Sequence, residues 1–212
     1  MKKLIITLMM MIVTIGLSAQ IPYYHSSQGK GKTYTYFSTK FHPSTDNQQV
    51  YITAQHGILD KLDLVTDLSV GSGYSYQGFG LRFNALNSKY FGLGGQVMSQ
   101  FDLQDSYKYN YLGSSIYMNG NIWNGLHWVS NTWFTAYRHG RDTWEQWTYL
   151  GWTVRKFTPM IGLDTYLRDC KGSDLMTGCY YTVGKMNLYA WCSNITKNYG
   201  DVRVVLGFDY KF

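Results

Sequence analysis

The sequence predicts an all-β fold: a transmembrane, antiparallel, up-and-down β-barrel of about twelve strands. Three observations support this prediction. Apolar residues alternate with small or polar ones through most of the chain, which is the pattern of strands with two different faces. The composition is rich in tyrosine (20), glycine (22) and tryptophan (7), and only 15% of residues are charged. Mean hydropathy is −0.26, as expected when only every second strand residue meets lipid.

The chain begins with the order of features that defines a secretory signal peptide. Two lysines precede an apolar run, Leu4–Leu17, which is followed by the small residues Ser18 and Ala19. The run is shorter than the roughly 20 residues of a membrane-spanning helix, which favours cleavage over anchoring. We therefore predict three segments: a signal peptide at 1–19, a short N-terminal segment at 20–31 and the transmembrane barrel at 32–212.

The charge balance excludes one class of function. The formal net charge is +6, and it falls to +4 when Lys2 and Lys3 leave with the signal peptide. This mild excess suits an anionic membrane surface or anionic solutes. The basic residues are scattered along the chain, so the sequence does not indicate a nucleic-acid-binding protein.

The alternation divides the chain into short strands, of which "LDLVTDLSVG" is the clearest. Leu62, Leu64 and Leu68 share one face of this segment, and Asp63 and Asp67 share the other. The same pattern predicts strands at about 32–41, 48–57, 61–71, 76–86, 89–102, 107–119, 126–138, 144–156, 157–169, 175–184, 186–195 and 202–212. An even number places both ends of a barrel on one side, and ten strands are expected if one hairpin is miscounted. A soluble two-sheet sandwich is the alternative architecture for these strands.

Aromatic residues cluster near the predicted strand ends. Rings with a polar edge favour the boundary between lipid and water, so they are predicted to form two girdles. One predicted girdle contains Tyr90, Phe91, Trp123, Trp128, Phe157, Tyr210 and Phe212, and the other contains Tyr107, Tyr109, Trp144 and Trp147.

The three cysteines cannot all pair within one chain. A hairpin that turns at residues 184–187 would place Cys179 directly opposite Cys192, with Cys170 in a nearby loop. The pattern leaves two alternatives open: a disulfide among these residues, or small apolar thiols on a sheet.

The last predicted strand, "DVRVVLGFDYKF", has apolar residues at alternate positions and ends in phenylalanine. With the signal peptide, the alternating strands and the phrase "GILDKLDLVTDLSVG", it resembles the bacterial outer-membrane β-barrel proteins, in particular the small porin-like barrels. The resemblance implies a Gram-negative outer-membrane location among lipid and lipopolysaccharide. It also implies insertion by the barrel-assembly machinery, with Leu206, Phe208, Tyr210 and Phe212 as the assembly signal.

The polar faces of the predicted strands carry a set of charged and amide residues that we expect to line the lumen. They are Asp63, Asp67, Arg82, Gln96, Gln100, Arg155, Asp164, Arg168, Arg203, Asp209 and Lys211. Such residues can line a narrow water-filled pore that selects small polar solutes by sign and size. They can also pair across the lumen and close it, because buried charges must be paired or hydrated.

The sequence predicts no catalytic residue, no metal site and no cofactor. His25 lies beside Ser26 and Ser27, but in front of the first predicted strand, where a base and an oxyanion hole cannot be held in place. His56 is expected beside a turn, as a satisfied or solvated histidine, and His139 in a solvated loop. A passive porin-like channel is therefore the favoured function. The alternatives are a barrel enzyme acting on outer-membrane lipid or lipopolysaccharide, and a structural or adhesin barrel with a closed lumen.

Overall fold

The computed structural model describes residues 27–43, 48–88, 90–168, 172–198 and 201–212. Within them, twelve antiparallel strands pair in sequence order, and β1 pairs with β12 to close the barrel. The predicted signal peptide, His25, Ser26 and Cys170 lie outside the described residues. The strands are β1 Thr33–Phe41, β2 Gln48–Leu59, β3 Leu62–Gly71, β4 Tyr74–Asn87, β5 Phe91–Asp102, β6 Lys108–Trp123, β7 Leu126–Tyr137, β8 Thr143–Trp152, β9 Phe157–Tyr166, β10 Gly172–Val183, β11 Met186–Ser193 and β12 Arg203–Lys211.

The predicted twelve-stranded, up-and-down barrel is confirmed, and closure excludes the two-sheet sandwich. Both ends of the described barrel chain, at Thr33 and Lys211, lie at the same end of the barrel, which we call the terminal end; the opposite end is the loop end. The turns at the terminal end are short, and the connections at the loop end are mostly longer. The described residues contain no helix that is long and apolar enough to cross a membrane.

The two faces of the barrel wall differ in chemistry. Large apolar side chains such as Leu64, Ile116 and Leu163 point outward and are 48–57% exposed. A continuous apolar surface of this kind is unusual on a soluble monomer and matches the lipid-facing band of a membrane barrel. The strands are 8 to 16 residues long, which brackets the roughly 9–11 residues that a tilted strand needs to cross a bilayer.

The inner face packs aromatic rings onto glycines of neighbouring strands. The ring of Tyr117 in β6 lies over Gly94 in β5, so close that a Cβ on Gly94 would be 2.2 Å from the tyrosine hydroxyl. That hydroxyl donates to the carbonyl of Phe83, one strand further on, at 2.7 Å. Glycine is required at position 94 because any side chain would occupy the space of the ring.

Apolar side chains fill the bore beside β7–β12. The cluster consists of Val129, Tyr149, Met160, Met176, Tyr180, Tyr189, Trp191 and Val205. Trp147 packs against this cluster, and its ring contacts that of Trp191 at a centroid distance of 5.8 Å. The expectation that Trp147 belongs to an outer girdle is therefore wrong. In β8 the polar Gln146 and Thr148 face outward instead, where Gln146 donates to Ser130 at 3.0 Å.

The cysteine register also differs from the prediction. Cys179 pairs with Ala190, and Cys192 pairs with Thr177, because the hairpin turns at Gly184 and Lys185. This offset of two residues prevents direct opposition, and both thiols are free.

Candidate functional site: the barrel lumen

A cavity of about 350 Å³ occupies the loop-end half of the lumen. Its wall combines charged, amide and aromatic side chains. Among those that line it are Lys40, Asp67, Arg82, Gln96, Gln100, Glu145 and Arg203, together with Tyr36, Tyr51, Tyr111, Trp133, Trp147 and Trp191. Tyr137 and Thr143 also line the cavity and are exposed, so the cavity reaches the surface at the loop end.

Arg203 joins β12 to β8 and β9 across the cavity. One Nη donates to the hydroxyl of Tyr166 at 2.7 Å and lies 3.7 Å from Oδ2 of Asp164. The other Nη lies 3.9 Å from Oε1 of Glu145. The arginine is only 12% exposed, so these contacts compensate a largely buried charge. Lys40, from β1, adds a second cation to the cavity wall.

Arg82 forms the second charged group of the lumen. Its Nε and Nη2 donate to Oε1 of Gln96 at 2.9 and 2.6 Å, and Nη1 donates to Oε1 of Gln55 at 2.7 Å. The guanidinium carbon lies 5.9 Å from the ring centroid of Tyr117, within the range of a cation–π contact. Gln55 in turn donates to the carboxylate of Asp63. The chain Asp63–Gln55–Arg82–Gln96 therefore links residues of β2, β3, β4 and β5.

Two further carboxylates face the interior. Asp67 accepts a hydrogen bond from Gln100 at 2.9 Å and lies over Gly78, which has no side chain to displace it. Asp209, near the terminal end, accepts from Nδ2 of Asn187 at 2.7 Å. Acids and bases are thus both present around the lumen, and neither sign dominates.

The terminal half of the lumen is tightly packed. Tyr34, Gln55, Asp63, His127 and Asp209 are each at most 1% exposed. These side chains close most of the bore below the cavity, since an open channel would expose them to solvent.

His42 follows β1 at the loop end, outside the strands. Burial is the main cause that lowers its pKa below the ordinary 6.5, and the positive charges of Lys40 and Arg203 lower it further. A proton that binds to His42 would add a third cation to this side of the cavity mouth.

The structure places most of the predicted lumen residues on the inner face. These are Asp63, Asp67, Arg82, Gln96, Gln100, Asp164, Arg203, Asp209 and Lys211. Arg155 is not on the inner face. β8 ends at Trp152, and Arg155 lies in the exposed turn that follows, with a φ of 57°. Arg168 lies beyond β9, at the rim, where its guanidinium donates to the carbonyl of Asp142.

Lys40 and Glu145 are lumen residues that the strand pattern did not reveal. Lys40 belongs to "TYTYFSTKF", in which both faces carry aromatic and hydroxyl groups. Glu145 lies between Trp144 and Gln146 in a strand that carries polar and aromatic residues on both faces. No sequence signal separates the two faces of this strand; the burial of Tyr149 and Gly151 fixes the register of Glu145 only in the structure.

No family model and no curated relative matches the chain. Solved structures do match it. The KdgM porin has a TM-score of 0.65 at 10% identity, covering 84% of this chain and 99% of that chain. The NanC porin has a TM-score of 0.62 at 7% identity, covering 84% and 100%. The outer membrane protein Omp33 of Acinetobacter baumannii has a TM-score of 0.53 at 8% identity, covering 87% and 100%. At these identities the likeness is one of fold: this chain has the closed β-barrel fold of these proteins.

Proposed function

We propose that the protein is a narrow passive channel for small polar solutes in the outer membrane of a Gram-negative bacterium. The observation that carries this proposal is the polar cavity of about 350 Å³ inside a closed barrel with an apolar outer wall. Barrels of eight strands are filled by side chains, and those of sixteen or more leave wide aqueous channels. A twelve-stranded barrel with a partly filled lumen lies between these limits and suits a solute of restricted cross-section.

The lining predicts the chemical class of the solute. The cavity wall contains three cations, Lys40, Arg82 and Arg203, and two acids, Asp67 and Glu145. The site therefore offers partners for solutes of either charge. Aromatic rings between them offer apolar faces. One structurally similar barrel, the KdgM porin, has been solved in complex with oligogalacturonate. For this chain, the balanced charges favour neutral or zwitterionic polar solutes and weak selectivity between small ions.

The membrane partners follow from the outer wall. The apolar band of the barrel is proposed to contact outer-membrane lipid and lipopolysaccharide, and the barrel-assembly machinery is proposed to insert it. The apolar row Leu206, Phe208 and Tyr210 faces outward in β12, where such machinery could read it together with Phe212.

A closed structural barrel is the second candidate, because the terminal half of the lumen is filled by buried side chains. An enzyme is not favoured. Among the described residues, His127 is fully buried beside the carbonyl of Gly125, and His56 contacts Thr33 on the outer face. Neither lies against a nucleophile with room for a substrate.

Conductance across planar lipid bilayers tests the proposal. We expect stepwise conductance from the purified, heat-modifiable protein, with weak ion selectivity that shifts toward cations in Arg203→Ala and Arg82→Ala because each removes a lumen cation. Arg138→Ala, in an exposed loop, is the matched control and should leave selectivity unchanged. Complete absence of conductance from folded protein would favour the closed structural barrel.

A further inference from the structure

The chain in front of β1 turns back into the terminal end of the barrel. We call residues 27–32 the strap. Gly29 and Gly31 adopt φ values of 87° and 76°, which glycine adopts without strain, and these two positions reverse the chain direction. The strap is then fixed to β2 by two backbone hydrogen bonds, from Gly31 N to Gly57 O at 2.8 Å and from Gly57 N to Lys32 O at 2.9 Å.

The strap lies on the inner face of the wall. Gln55 faces inward, and Gly57 lies two residues later in the same strand. A side chain at position 57 would therefore also point inward. A Cβ built on Gly57 would lie 2.0 Å from the carbonyl oxygen of Gly29. The main chain of the strap therefore occupies the space that a side chain at position 57 would fill. Ser27, Gln28 and Gly29 are half-buried there.

A buried carboxylate holds the strap in place. Asp63 is 0% exposed, and Ser27 Oγ donates to its Oδ1 at 2.6 Å while the Gln28 amide donates to its Oδ2 at 2.8 Å. Gln55 donates to the same carboxylate from the side of the lumen. Hydrogen bonds to a charged acceptor are about twice as strong as neutral ones, so Asp63 is the strongest attachment of the strap.

The same carboxylate is coupled to the wall of the cavity. Gln55 contacts Asp63 through its amide nitrogen and Arg82 through its amide oxygen, and Arg82 lines the cavity. When the strap is in place, its donors and Gln55 together satisfy Asp63. When the strap leaves, the buried carboxylate loses two donors, and water must enter the terminal end of the lumen to replace them.

We propose that the strap is a built-in gate: while Asp63 holds it, the strap and the packed side chains of the terminal half close the lumen together, and its release removes support from Asp63 and, through Gln55, from that packing, so that water and solute reach the cavity. This inference rests on the proposed channel function and adds its regulation. The closed state is the one that the structure shows, in which the packed terminal half and the strap together separate the cavity from the terminal end.

Two variants release the strap by different means. Asp63→Asn removes the charge from the acceptor, and Gly57→Ala places a methyl group in the position of the Gly29 carbonyl. Asp60→Asn is the control for the first, because Asp60 is an exposed turn residue that contacts Ser27 through its backbone carbonyl only. Gly113→Ala is the control for the label measurement of the second, because its Cβ would meet Tyr111 at 3.5 Å, an ordinary contact distance; it is left out of the recordings because Gly113 lines the cavity.

The position of the strap is measured independently of conductance. A spin label on Gln28→Cys, a half-buried strap position that contacts Asp63 through its backbone amide, is introduced in a background with Cys170, Cys179 and Cys192 changed to serine. We expect an immobile label in the parent and in both controls. In Asp63→Asn the ratio of mobile to immobile label should increase about tenfold, as the loss of one charge-assisted hydrogen bond predicts, and in Gly57→Ala the mobile form should dominate.

Bilayer recordings on the same proteins then test gating. The proposal expects the open probability to increase in Asp63→Asn and Gly57→Ala in parallel with label mobility, and not in Asp60→Asn. A label that stays immobile in Gly57→Ala would overturn the role of the Gly57 contact in seating the strap. A mobile label with conductance equal to the parent would overturn the gate and leave the channel standing. Silence in the parent and every variant would overturn the channel itself.

Discussion

Individual charged side chains control the cavity at the residue scale. Arg203 and Arg82 each reach across several strands to polar partners, so each narrows the lumen as well as charging it. Removing either side chain leaves inward-facing acids or amides without their cation. The electrostatic consequence exceeds that of a surface ion pair, because these groups are largely shielded from water.

His42 makes the selectivity of the channel depend on pH. Its pKa is lowered from 6.5 by burial and then by Lys40 and Arg203, so His42 is neutral at neutral pH and gains its proton below pH 6.5. We expect the permeability of anions relative to cations to increase as the pH falls from about 7.5 to about 5, because protonation adds positive charge near the mouth. Reversal potentials in a salt gradient measure this ratio.

The contribution of His42 is the difference between the parent and His42→Ala in how much the relative permeability of anions changes with pH. His139→Ala, in the exposed loop between β7 and β8, is the matched control. A pH response that is the same in all three proteins would assign the titration to other lumen groups.

At the scale of single elements, glycine and aromatic residues on neighbouring strands act as one packing unit. Gly94→Ala should destabilise the barrel by about 1–3 kcal/mol, the usual cost of an extra methyl group in a packed interior, because its Cβ would lie 2.2 Å from the hydroxyl of Tyr117. The urea midpoint of the heat-modifiable gel band measures this change. Gly113→Ala lacks the close contact, and an equal effect in both variants would contradict the packing argument.

Asp174 organises the connection between β11 and β12. Its carboxylate accepts from the amides of Leu175 and Thr196 at 2.8 Å and of Asn198 at 2.9 Å, and from the hydroxyl of Thr196. Asn at this position loses the charge and one acceptor oxygen, so Asp174→Asn should weaken this connection by about 1.5–3 kcal/mol.

Trypsin reports on this loosening. Lys197 lies within the connection that Asp174 holds and is exposed, so cleavage after Lys197 should be at least about tenfold faster in Asp174→Asn. Asp201→Asn, an exposed position in the same connection, should be cleaved at the parent rate. Unchanged cleavage in Asp174→Asn would show that the remaining backbone contacts hold the connection.

At the scale of the whole molecule, the barrel could be predicted from the sequence because its strands carry a local signal. "LDLVTDLSVG" shows its two faces without reference to any other strand, and so does β12. The signal fails where both faces carry aromatic residues, as in β8, where Trp147 packs inside while Gln146 and Thr148 face outward.

The lumen contacts had no local signal. Arg203 meets Glu145 and Tyr166 from strands that are three or four positions away around the barrel, and no spacing in the sequence encodes a contact across an enclosed space. The strap was equally hidden, because the meaning of Gly57 depends on the carbonyl of Gly29 that packs against it. Alternation thus predicts the wall of a barrel, whereas the contents of the lumen require the closed structure.

The outward row of β12 gives the last prediction, which separates assembly from stability. Phe212 is 66% exposed, and its ring contacts that of Tyr210 at a centroid distance of 4.8 Å. Its amide donates to the carbonyl of Thr33 at 2.9 Å, a bond that alanine preserves. Phe212→Ala should therefore leave folding into detergent micelles almost unchanged, because little buried area is lost.

In cells the same variant should accumulate less in the outer membrane, since we predict that Leu206, Phe208, Tyr210 and Phe212 form the signal read during insertion. The measurement is the heat-modifiable fraction in isolated outer membranes after a pulse of synthesis, compared with the folded yield in detergent. Phe157→Ala is the matched control, because Phe157 is a 45% exposed aromatic residue at the same end of the barrel. Equal membrane yields for the two variants would mean that Phe212 is an ordinary girdle residue, and a parallel loss of folding in detergent would mean that its role is stability.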